Sequence, residues 1–297
     1  MSYIKGDVMK IAAIGVGNMG GAVARNLARN GIVVTAFDLN AAAVDRCRDV
    51  GVIGVESAQE AARDADVVLT SLPTTALVES VATEVLGEMR EHAILVDIST
   101  INPETARKVE NAAKDSGKRF VSCALGKTPE HAEHGEIPLF VGGDKGAIEE
   151  LEALLEIMGN EVFIFADAAG ATGFKLISNL VGMSNLVVLT EGLALARALK
   201  IDDDLFSQAL SSTGAVSFQS EVRLPWLLAE DWAARFTVDL AAKDVGLAVG
   251  AAESVGLKTP TAHAALAQLN EASARGFGSE DAIAVAKVVD SRSREDV

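Results

Sequence analysis

The sequence predicts an α/β protein in which a doubly wound parallel sheet comes first and an all-helical domain follows. In the first half, apolar runs of strand length alternate with stretches of helical periodicity, which is the pattern of successive βαβ units. From Gly170 onward, apolar residues recur at the helical period. A chain of 297 residues can form two domains that each bury a core. We therefore place the first domain at residues 1–168 and the second at residues 169–297.

The individual elements follow from the same patterns. Strands are predicted at residues 10–15, 32–37, 66–70, 93–97, 119–122, 137–141 and 162–165. In the first half, helices are predicted after Gly20, over residues 74–86, from Asn102-Pro103 onward and over residues 145–158. In the second half they are predicted near residues 176–198, 238–255 and 261–270, with breaks at 201–204, 211–214 and Thr259-Pro260.

A glycine-rich turn follows the first predicted strand. It reads Gly15-Val16-Gly17-Asn18-Met19-Gly20 and leads into residues with helical spacing. In such a unit the glycines allow a tight turn, the approach of a pyrophosphate and close packing of helix on strand, while the helix N-terminus binds the anion. Strand, turn, helix and second strand stand in the required order, so a Rossmann-type dinucleotide-binding domain is favoured over an unrelated tight turn.

The second predicted strand ends in Asp38, which bears on the choice of dinucleotide. An acid at this place accepts hydrogen bonds from the ribose hydroxyls of NAD and repels the 2′-phosphate of NADP. Asp38 is followed by Leu39-Asn40, and no arginine stands where it could hold that phosphate. We therefore expect NAD(H) as the cofactor, with NADP(H) the less favoured choice.

Two later strands end in residues that can also lie beside the cofactor. Leu72-Pro73 follows the third predicted strand, and Ser99-Thr100 follows the fourth. Ligands of doubly wound sheets bind beyond the carboxyl ends of the strands. We therefore add Leu72, Pro73 and Thr100 to the cofactor-binding set, although ordinary turn chemistry would explain these residues equally well.

Composition narrows the class of protein. Apolar residues make up 49% of the chain, which excludes disorder, and a formal charge of −16 argues against nucleic acid as a partner.

The first seven residues lack the apolar core of a cleavable signal, and the uncharged stretch 176–190 is too short and polar for a membrane span. With only Cys47 and Cys123 as thiols, we expect a cytoplasmic protein with reduced cysteines and no membrane partner.

Motifs along nearly the whole chain resemble the β-hydroxyacid dehydrogenase family, which includes 3-hydroxyisobutyrate dehydrogenase, tartronate semialdehyde reductase and 6-phosphogluconate dehydrogenase. They are Gly15-Val16-Gly17-Asn18-Met19-Gly20, Leu72-Pro73-Thr74, Val96-Asp97-Ile98-Ser99-Thr100-Ile101 with Pro103, Val141-Gly142-Gly143, Gly173-Phe174-Lys175-Leu176-Ile177-Ser178-Asn179 and Leu240-Ala241-Ala242-Lys243-Asp244. The resemblance implies that Lys175 is the catalytic acid/base and that Asn179 orients the substrate, and we add Ser178 to the substrate-binding set. It also implies that Thr100 and Lys243 face the nicotinamide.

The residues themselves support these roles. Lys175 and Asn179 are four apart and so share a helix face. A lysine that enters an apolar helix is costly unless it is solvated, paired or functional, and desolvation brings an amine closer to the pKa that acid/base catalysis needs. Alternatives remain: Lys175 could reach solvent at the helix start, Asn179 could serve helix packing, and Lys243 could pair with an acid of its own helix.

One segment departs from the family pattern. Where the family usually has Ser-Gly-Gly in its substrate loop, this chain has Gly126-Lys127-Thr128. The sulfolactaldehyde reductase branch is similar, with Gly-Arg-Thr at these positions binding a sulfonate. Lys127 therefore favours a substrate with a strongly anionic head, and Gly126, Lys127 and Thr128 join the substrate-binding set. A surface lysine on a loop is the alternative.

Two other patterns are rejected. Gly126-Lys127-Thr128 lacks the preceding glycine of a phosphate-binding loop, since Val121 stands there. His131 and His134, within the acidic stretch 130–136, lack the spacing of a zinc protease helix, so we expect a solvated acidic loop and no metal.

The leading hypothesis is an NAD(H)-dependent oxidoreductase that interconverts a short anionic 3-hydroxy acid and its semialdehyde. One alternative is an imine reductase-like NADP(H) enzyme, although that group usually replaces the catalytic lysine. The other is a dinucleotide-binding sensor without turnover. Because the helix near residues 176–198 is almost wholly apolar and must be covered on every side, we expect a homodimer or homotetramer.

Overall fold

The computed structural model describes residues 9–289 of the chain. These residues divide into two compact units, one that ends at Lys175 and one that begins at Leu176. The division falls inside one long helix, a few residues beyond the boundary predicted between residues 168 and 169. The first seven residues, for which the sequence predicts no signal segment, lie outside the described residues.

The first unit is built around an eight-stranded sheet. Its strands are β1 (Lys10–Ile14), β2 (Val33–Phe37), β3 (Ile53–Gly54), β4 (Val67–Thr70), β5 (Ile94–Asp97), β6 (Arg119–Leu125), β7 (Pro138–Gly143) and β8 (Glu161–Ile164). They lie in the order β3-β2-β1-β4-β5-β6-β7-β8. All seven predicted strands are present. The sequence pattern missed β3 because two residues are too few to show a period.

The sheet is mostly, rather than wholly, parallel. The exception is the β6–β7 pair, which is antiparallel with Val121 opposite Gly143 and Leu125 opposite Leu139. Between these strands the chain forms only a five-residue helix, too short for the crossover helix that a parallel return usually requires. The predicted α/β class is confirmed, and the purely parallel sheet is corrected at this pair.

Helices cover the sheet of the first unit. They are α1 (Asn18–Arg29), α2 (Ala41–Arg48), α3 (Ala58–Arg63), α4 (Thr75–Leu86), α5 (Pro103–Asp115), α6 (Pro129–Glu133), α7 (Lys145–Glu150) and α8 (Glu152–Met158). The side chain of Asn102 caps α5, whose first residue is Pro103, as the sequence indicated. The single helix predicted over residues 145–158 is interrupted at Leu151 and forms α7 and α8.

Alternate side chains of the buried strands enter two separate hydrophobic cores. In β4, Val67 and Leu69 belong to one core and Val68 to the other, and Leu95 of β5 joins Val68. Because the strands are covered on both faces, they read as continuous apolar runs without a polar alternation. This is why the sequence located them well.

The second unit is all-helical. After α9 (Ala168–Ala198), which runs through the division, come α10 (Asp203–Ser211), α11 (Leu224–Leu228), α12 (Val238–Ser254) and α13 (Pro260–Ala272). π-Helical turns occur at Gln219–Arg223 and Ser273–Phe277. The predicted breaks are confirmed, and the side chain of Asp202 caps α10. Helical periodicity was predicted from Gly170 onward, and the helix begins at Ala168.

Within a single chain, α9 is covered only in part. The helix has 31 residues and is apolar enough to cross a membrane by length and composition, a test that the core helix of a soluble protein also passes. Length alone therefore does not exclude a span. The side chains of Ile177, Val181, Val188 and Leu195 are 51–61% exposed. Covering of α9 on every side was predicted, and the described chain leaves this stripe uncovered.

Candidate active site

Two of the three glycines in the turn after β1 are required by the protein itself. Gly15 has a φ of +83°, and a Cβ there would overlap the carbonyl oxygen of Ser71. A Cβ at Gly20 would overlap the carbonyl oxygen of Gly15 and approach the Ser71 side chain. The first glycine thus makes the tight turn. The third lets the start of α1 pack closely against Gly15 and Ser71.

Gly17 has no such internal reason to be glycine. Its φ is −62°, it is exposed, and a Cβ there would meet nothing within 4 Å. Gly17 is the residue before α1, and no side chain caps this helix end. The backbone N–H groups at the start of α1, from Asn18 and Met19, are therefore open to an anion that approaches over Gly17. These residues fit the pyrophosphate of a dinucleotide.

Asp38, at the end of β2, is joined to this turn. Its Oδ2 accepts a hydrogen bond from the backbone N–H of Val16 at 2.8 Å, and its Oδ1 accepts one from the N–H of Asn40 at 2.8 Å. The backbone N–H of Gly15 in turn donates to the carbonyl of Phe37 at 2.9 Å. The carboxylate is held in a defined place beside the glycine turn and remains partly exposed.

A buried acid, Asp97, organises the next two loops. Its Oδ1 accepts hydrogen bonds from the hydroxyls of Thr70 at 2.7 Å and Ser99 at 2.6 Å. The Ser99 hydroxyl oxygen also accepts the backbone N–H of Leu72 at 2.8 Å. Leu72 and the residues before Thr100 are thus tied to one carboxylate. Sequence reasoning did not assign Asp97 a role, although an acid that ends a wholly apolar strand was a visible signal.

The topology brings the candidate residues of the first unit to one edge of the sheet. β2, β1, β4, β5 and β6 are adjacent and parallel, so their carboxyl ends lie side by side. The loops that follow them carry, in this order, Asp38, the glycine turn, Leu72-Pro73, Thr100 and residues 126–128. The strand order changes direction between β1 and β4, which is where such sheets bind ligands. A dinucleotide that extends from Asp38 toward Thr100 would leave residues 126–128 next to its reactive end.

The loop of residues 126–128 has an unusual backbone. Lys127 has a φ of +56°, a left-handed conformation that costs a non-glycine residue about 1 kcal/mol or more. Its exposed side chain donates from Nζ to the carbonyl of Glu136 at 2.8 Å. Gly126 is buried, and a Cβ there would lie 2.5 Å from Pro138 Cγ. The Thr128 hydroxyl lies 2.7 Å from Nδ1 of His131.

The segment after this loop corrects one expectation. Residues 130–136 were predicted to be a solvated acidic loop, but residues 129–133 form α6, which packs on α1. Glu133 accepts hydrogen bonds from Arg25, at 2.6 and 3.0 Å, and from Arg29 at 2.8 Å. These guanidinium groups, chiefly Arg25, lower the pKa of Glu133 to about 2. The acid that looked like a surface charge in sequence therefore joins α6 to the helix of the glycine turn.

Both cysteines of the first unit lie in its interior. Cys47 and Cys123 are buried free thiols, and burial raises the pKa of Cys123 to about 12. Residues 9–289 contain no group of three or more His, Cys, Asp or Glu side chains arranged to hold a metal.

Lys175 and Asn179 lie on consecutive turns of α9, and both side chains are partly exposed. Ser178, next to Asn179, is exposed. The four-residue spacing places Lys175 and Asn179 on the same side of this helix, as the sequence predicted.

Within the second unit, Asn179 is joined to α12. Its Nδ2 donates to Oδ2 of Asp244 at 2.6 Å, and Nζ of Lys243 lies 3.0 Å from Oδ1 of the same carboxylate. The contact of Lys243 with this oxygen is an ion pair and not a hydrogen bond. Asp244 is 3% exposed. The pairing of Lys243 with an acid of its own helix, left open by the sequence, is confirmed with Asp244 as the partner. The hydrogen bond between Asp244 and Asn179 was not predicted.

Models of known protein families match this chain in two segments. The profile described as the NAD binding domain of 6-phosphogluconate dehydrogenase matches residues 10–166, more than half of the chain. The chain belongs to the β-hydroxyacid dehydrogenase family. A second profile, described as NAD-binding of NADP-dependent 3-hydroxyisobutyrate dehydrogenase, matches residues 159–289 of this family member. As a β-hydroxyacid dehydrogenase, the protein is an NAD(P)-dependent oxidoreductase of the 3-hydroxyacid type.

The similarity to individual family members covers nearly the whole chain. The NAD-dependent L-serine dehydrogenase of Pseudomonas aeruginosa is 31% identical, over 95% of this chain and 98% of that protein. The 3-sulfolactaldehyde reductase of Escherichia coli is 29% identical, over 94% of this chain and 95% of that protein. The structure of Mycobacterium tuberculosis 3-hydroxyisobutyrate dehydrogenase with L-serine has a TM-score of 0.88 and 26% identity, over 95% of this chain and 99% of that one.

Proposed function

We propose that this dehydrogenase interconverts a short anionic 3-hydroxy acid and its semialdehyde, with NAD(H) as the preferred cofactor. The observation that carries the proposal is that Lys175 and Asn179 lie on the same side of α9. The buried carboxylate of Asp244 fixes the amide of Asn179. Such a pair can hold a hydroxyl or carbonyl and exchange its proton.

Lys175 is the proposed acid/base. In the oxidative direction its neutral amine takes the hydroxyl proton of the substrate as the carbinol carbon loses a hydride, and in reduction its ammonium returns that proton. Bound NAD(H) supplies the hydride acceptor or donor. The positive field of Lys175 stabilises the charge that develops on the substrate oxygen. Asn179, oriented by Asp244, holds the substrate in place, and Ser178 and Lys243 complete the proposed set.

The preference for NAD(H) rests on Asp38. Its carboxylate is held beside the glycine turn by the N–H groups of Val16 and Asn40, and each oxygen keeps acceptor capacity for a ribose hydroxyl. The same negative charge would repel a 2′-phosphate. Leu72, Pro73 and Thr100 are the further proposed cofactor contacts.

Lys127 supports an anionic head on the substrate. The chain tolerates backbone strain at this residue, and strained residues cluster at ligand-binding sites. One of the three ammonium protons is engaged by Glu136, which leaves two donors for an anion. A carboxylate, sulfonate or phosphate would fit, together with the N–H and hydroxyl of Thr128 and the backbone of Gly126.

We also propose that the protein is a cytoplasmic homo-oligomer, a dimer or a tetramer. The support is the stripe of Ile177, Val181, Val188 and Leu195 on α9, since exposed apolar surface of this kind is favourably buried against a second subunit. Size-exclusion chromatography with light scattering gives the subunit number directly.

The function is tested by NADH oxidation with a panel of sulfolactaldehyde, tartronate semialdehyde, succinate semialdehyde and methylmalonate semialdehyde. We expect turnover with at least one member. Tight NADH binding with no turnover on any member would instead support the sensor alternative. Turnover of cyclic imines with NADPH, and not of semialdehydes, would support the imine reductase alternative.

A further inference from the structure

The hydroxyl of Thr128 does not take the place that a threonine usually takes at a helix start. Thr128 directly precedes α6, and its backbone is extended, as at an ordinary N-cap. A threonine there normally accepts a backbone N–H of the first turn, which stabilises the helix by about 1 kcal/mol. Within the described residues 128–133 the Thr128 side chain makes no such capping bond, and its Oγ1 lies 2.7 Å from Nδ1 of His131. The imidazole therefore holds this hydroxyl in place of the helix.

His131 is itself fixed by backbone contacts that lead back to the same loop. Its carbonyl oxygen accepts the backbone N–H of Glu136 at 2.9 Å. The carbonyl of Glu136 accepts the ammonium of Lys127 at 2.8 Å. Both polar side chains of the loop, those of Lys127 and Thr128, are thus held by the segment 131–136. All of these contacts lie within the first unit.

The imidazole determines in which direction the Thr128 hydroxyl donates. An Nδ1 that carries a hydrogen donates it to Oγ1 of Thr128, and the hydroxyl hydrogen is then free to point toward a substrate. An Nδ1 without a hydrogen accepts the hydroxyl hydrogen instead, and Thr128 then presents lone pairs, which repel an anion. The protonated imidazole always carries the hydrogen on Nδ1, and its charge also attracts an anion.

We propose that His131 is a positioning residue that fixes the Thr128 hydroxyl as a hydrogen-bond donor to the anionic head of the substrate. This inference rests on the function proposed above, in which Lys127 and Thr128 bind that head. Because the anion favours an imidazole with hydrogen on Nδ1, its binding is coupled to protonation of His131. Histidine side chains change charge between about pH 5 and 8, so KM for an anionic substrate should rise as the pH rises through this interval.

The neighbouring charges leave the two histidines as the groups of the segment 127–136 that titrate in this interval. The other charged groups are those of Lys127, Glu130, Glu133 and Glu136, together with Arg25 and Arg29 of α1, which packs on α6. Carboxylates, lysines and arginines ordinarily keep their charge between about pH 6 and 8.5. His134 is exposed and lies three residues after His131, so it provides the matched control.

The test measures KM and kcat, at saturating NADH, for the four semialdehydes named above, all of which have an anionic head. Glyceraldehyde, which is sulfolactaldehyde with a hydroxyl in place of the sulfonate, is the uncharged probe. In the wild type, KM for a semialdehyde that is turned over should rise about 3–10-fold from about pH 6 to about pH 8.5, and KM for glyceraldehyde less than about twofold.

Two histidine variants locate the titrating group. His131→Asn places an amide N–H near the position of Nδ1 but cannot be protonated, so KM for the semialdehyde should no longer depend on pH. His134→Asn should keep the pH dependence of the wild type. Both variants should have nearly the wild-type Tm, because neither removes an apolar contact of the core.

A double-mutant cycle at about pH 6 separates positioning from a structural role. Thr128→Val should raise KM for the semialdehyde about 10-fold and His131→Leu about 3–10-fold, each with little change in kcat. The double variant should lie close to Thr128→Val alone, because His131 acts mainly through the hydroxyl that valine lacks.

Several results would overturn the inference. They are a pH dependence of KM that His131→Asn retains, equal effects on the semialdehydes and glyceraldehyde, and additive increases of KM in the double variant. In each case turnover by the wild type would leave the proposed function standing. If the wild type reduced none of the four semialdehydes, the proposed function itself would fail and the inference with it.

Discussion

The carboxylate of Asp38 accepts a hydrogen bond from the backbone N–H of Val16, the second residue of the glycine turn, at 2.8 Å. Twenty-two residues separate the two in sequence, and parallel pairing of β1 with β2 brings them together. One side chain thus both supports the turn expected to hold the pyrophosphate and presents a negative charge where the adenosine ribose would lie.

This double role gives a prediction on cofactor choice. At equal concentrations, initial rates should be higher with NADH than with NADPH. Asp38→Asn keeps one oxygen that can accept from Val16, gives up the acceptor for the N–H of Asn40 and removes the charge. The ratio of kcat/KM for NADH to that for NADPH should therefore fall about 10–100-fold. An unchanged Tm would show that the turn is intact. A wild-type preference for NADPH would overturn the assignment.

The second prediction concerns Lys175. Lys175→Ala should lower kcat by about 10²–10⁴-fold and leave NADH affinity nearly unchanged, because the lysine acts mainly in the transition state. Lys175→Arg keeps a positive charge but cannot release a proton near neutral pH, so it should also be nearly inactive. Stopped-flow turnover and NADH fluorescence titration measure the two quantities. Near-normal kcat in either variant would refute the acid/base role.

The third prediction concerns Lys127. Lys127→Ala should raise KM for an anionic semialdehyde and lower kcat/KM about 10–100-fold with little change in kcat, since the anionic head changes little during hydride transfer. Lys127→Gly should do the same and also raise the free energy of unfolding by roughly 1 kcal/mol, because glycine adopts a φ of +56° without strain. Equal losses of kcat/KM for anionic and uncharged aldehydes would show that Lys127 does not bind the anionic head of the substrate.

The fourth prediction is a pH dependence of stability. The pKa of Glu133, about 2 in the folded protein, lies below the value of about 4.3 expected when it is unfolded. Its contribution to stability is therefore fully present above about pH 5 and is lost as the pH falls toward 2. Glu133→Gln should lower the free energy of unfolding by about 1–2 kcal/mol at pH 7 and by roughly half as much at pH 3.

The control for this measurement is Glu130→Gln, an exposed residue of the same helix α6. The difference in unfolding free energy between the wild type and Glu130→Gln should stay nearly constant across the same pH range. Urea titrations at pH 7, 5 and 3 provide the comparison. A wild-type-to-Glu133→Gln difference that does not shrink with acid would contradict the ionic link between α6 and α1.

Much of the fold could be predicted because its signals are local. The strands covered on both faces are unbroken apolar runs, and Asn102 with Pro103 marks a helix start by hydrogen bonding and a preset φ. Two-residue β3 carried no such signal, and the antiparallel β6–β7 pair depends on a connection whose path the pattern does not record. The same holds for the break at Leu151.

For the site, the residue types and their spacing were enough to name the glycine turn, Asp38, Lys175 and Asn179, because turn geometry, strand ends and helix faces follow from position along the chain. Their roles remain predictions. Only the tertiary structure revealed that Asp97 ties two loops together, that Glu133 is held by Arg25 and Arg29, and that Asp244 holds Asn179. These pairings join residues far apart in sequence, and the desolvation that gives a buried carboxylate its importance exists only once the chain has folded around it.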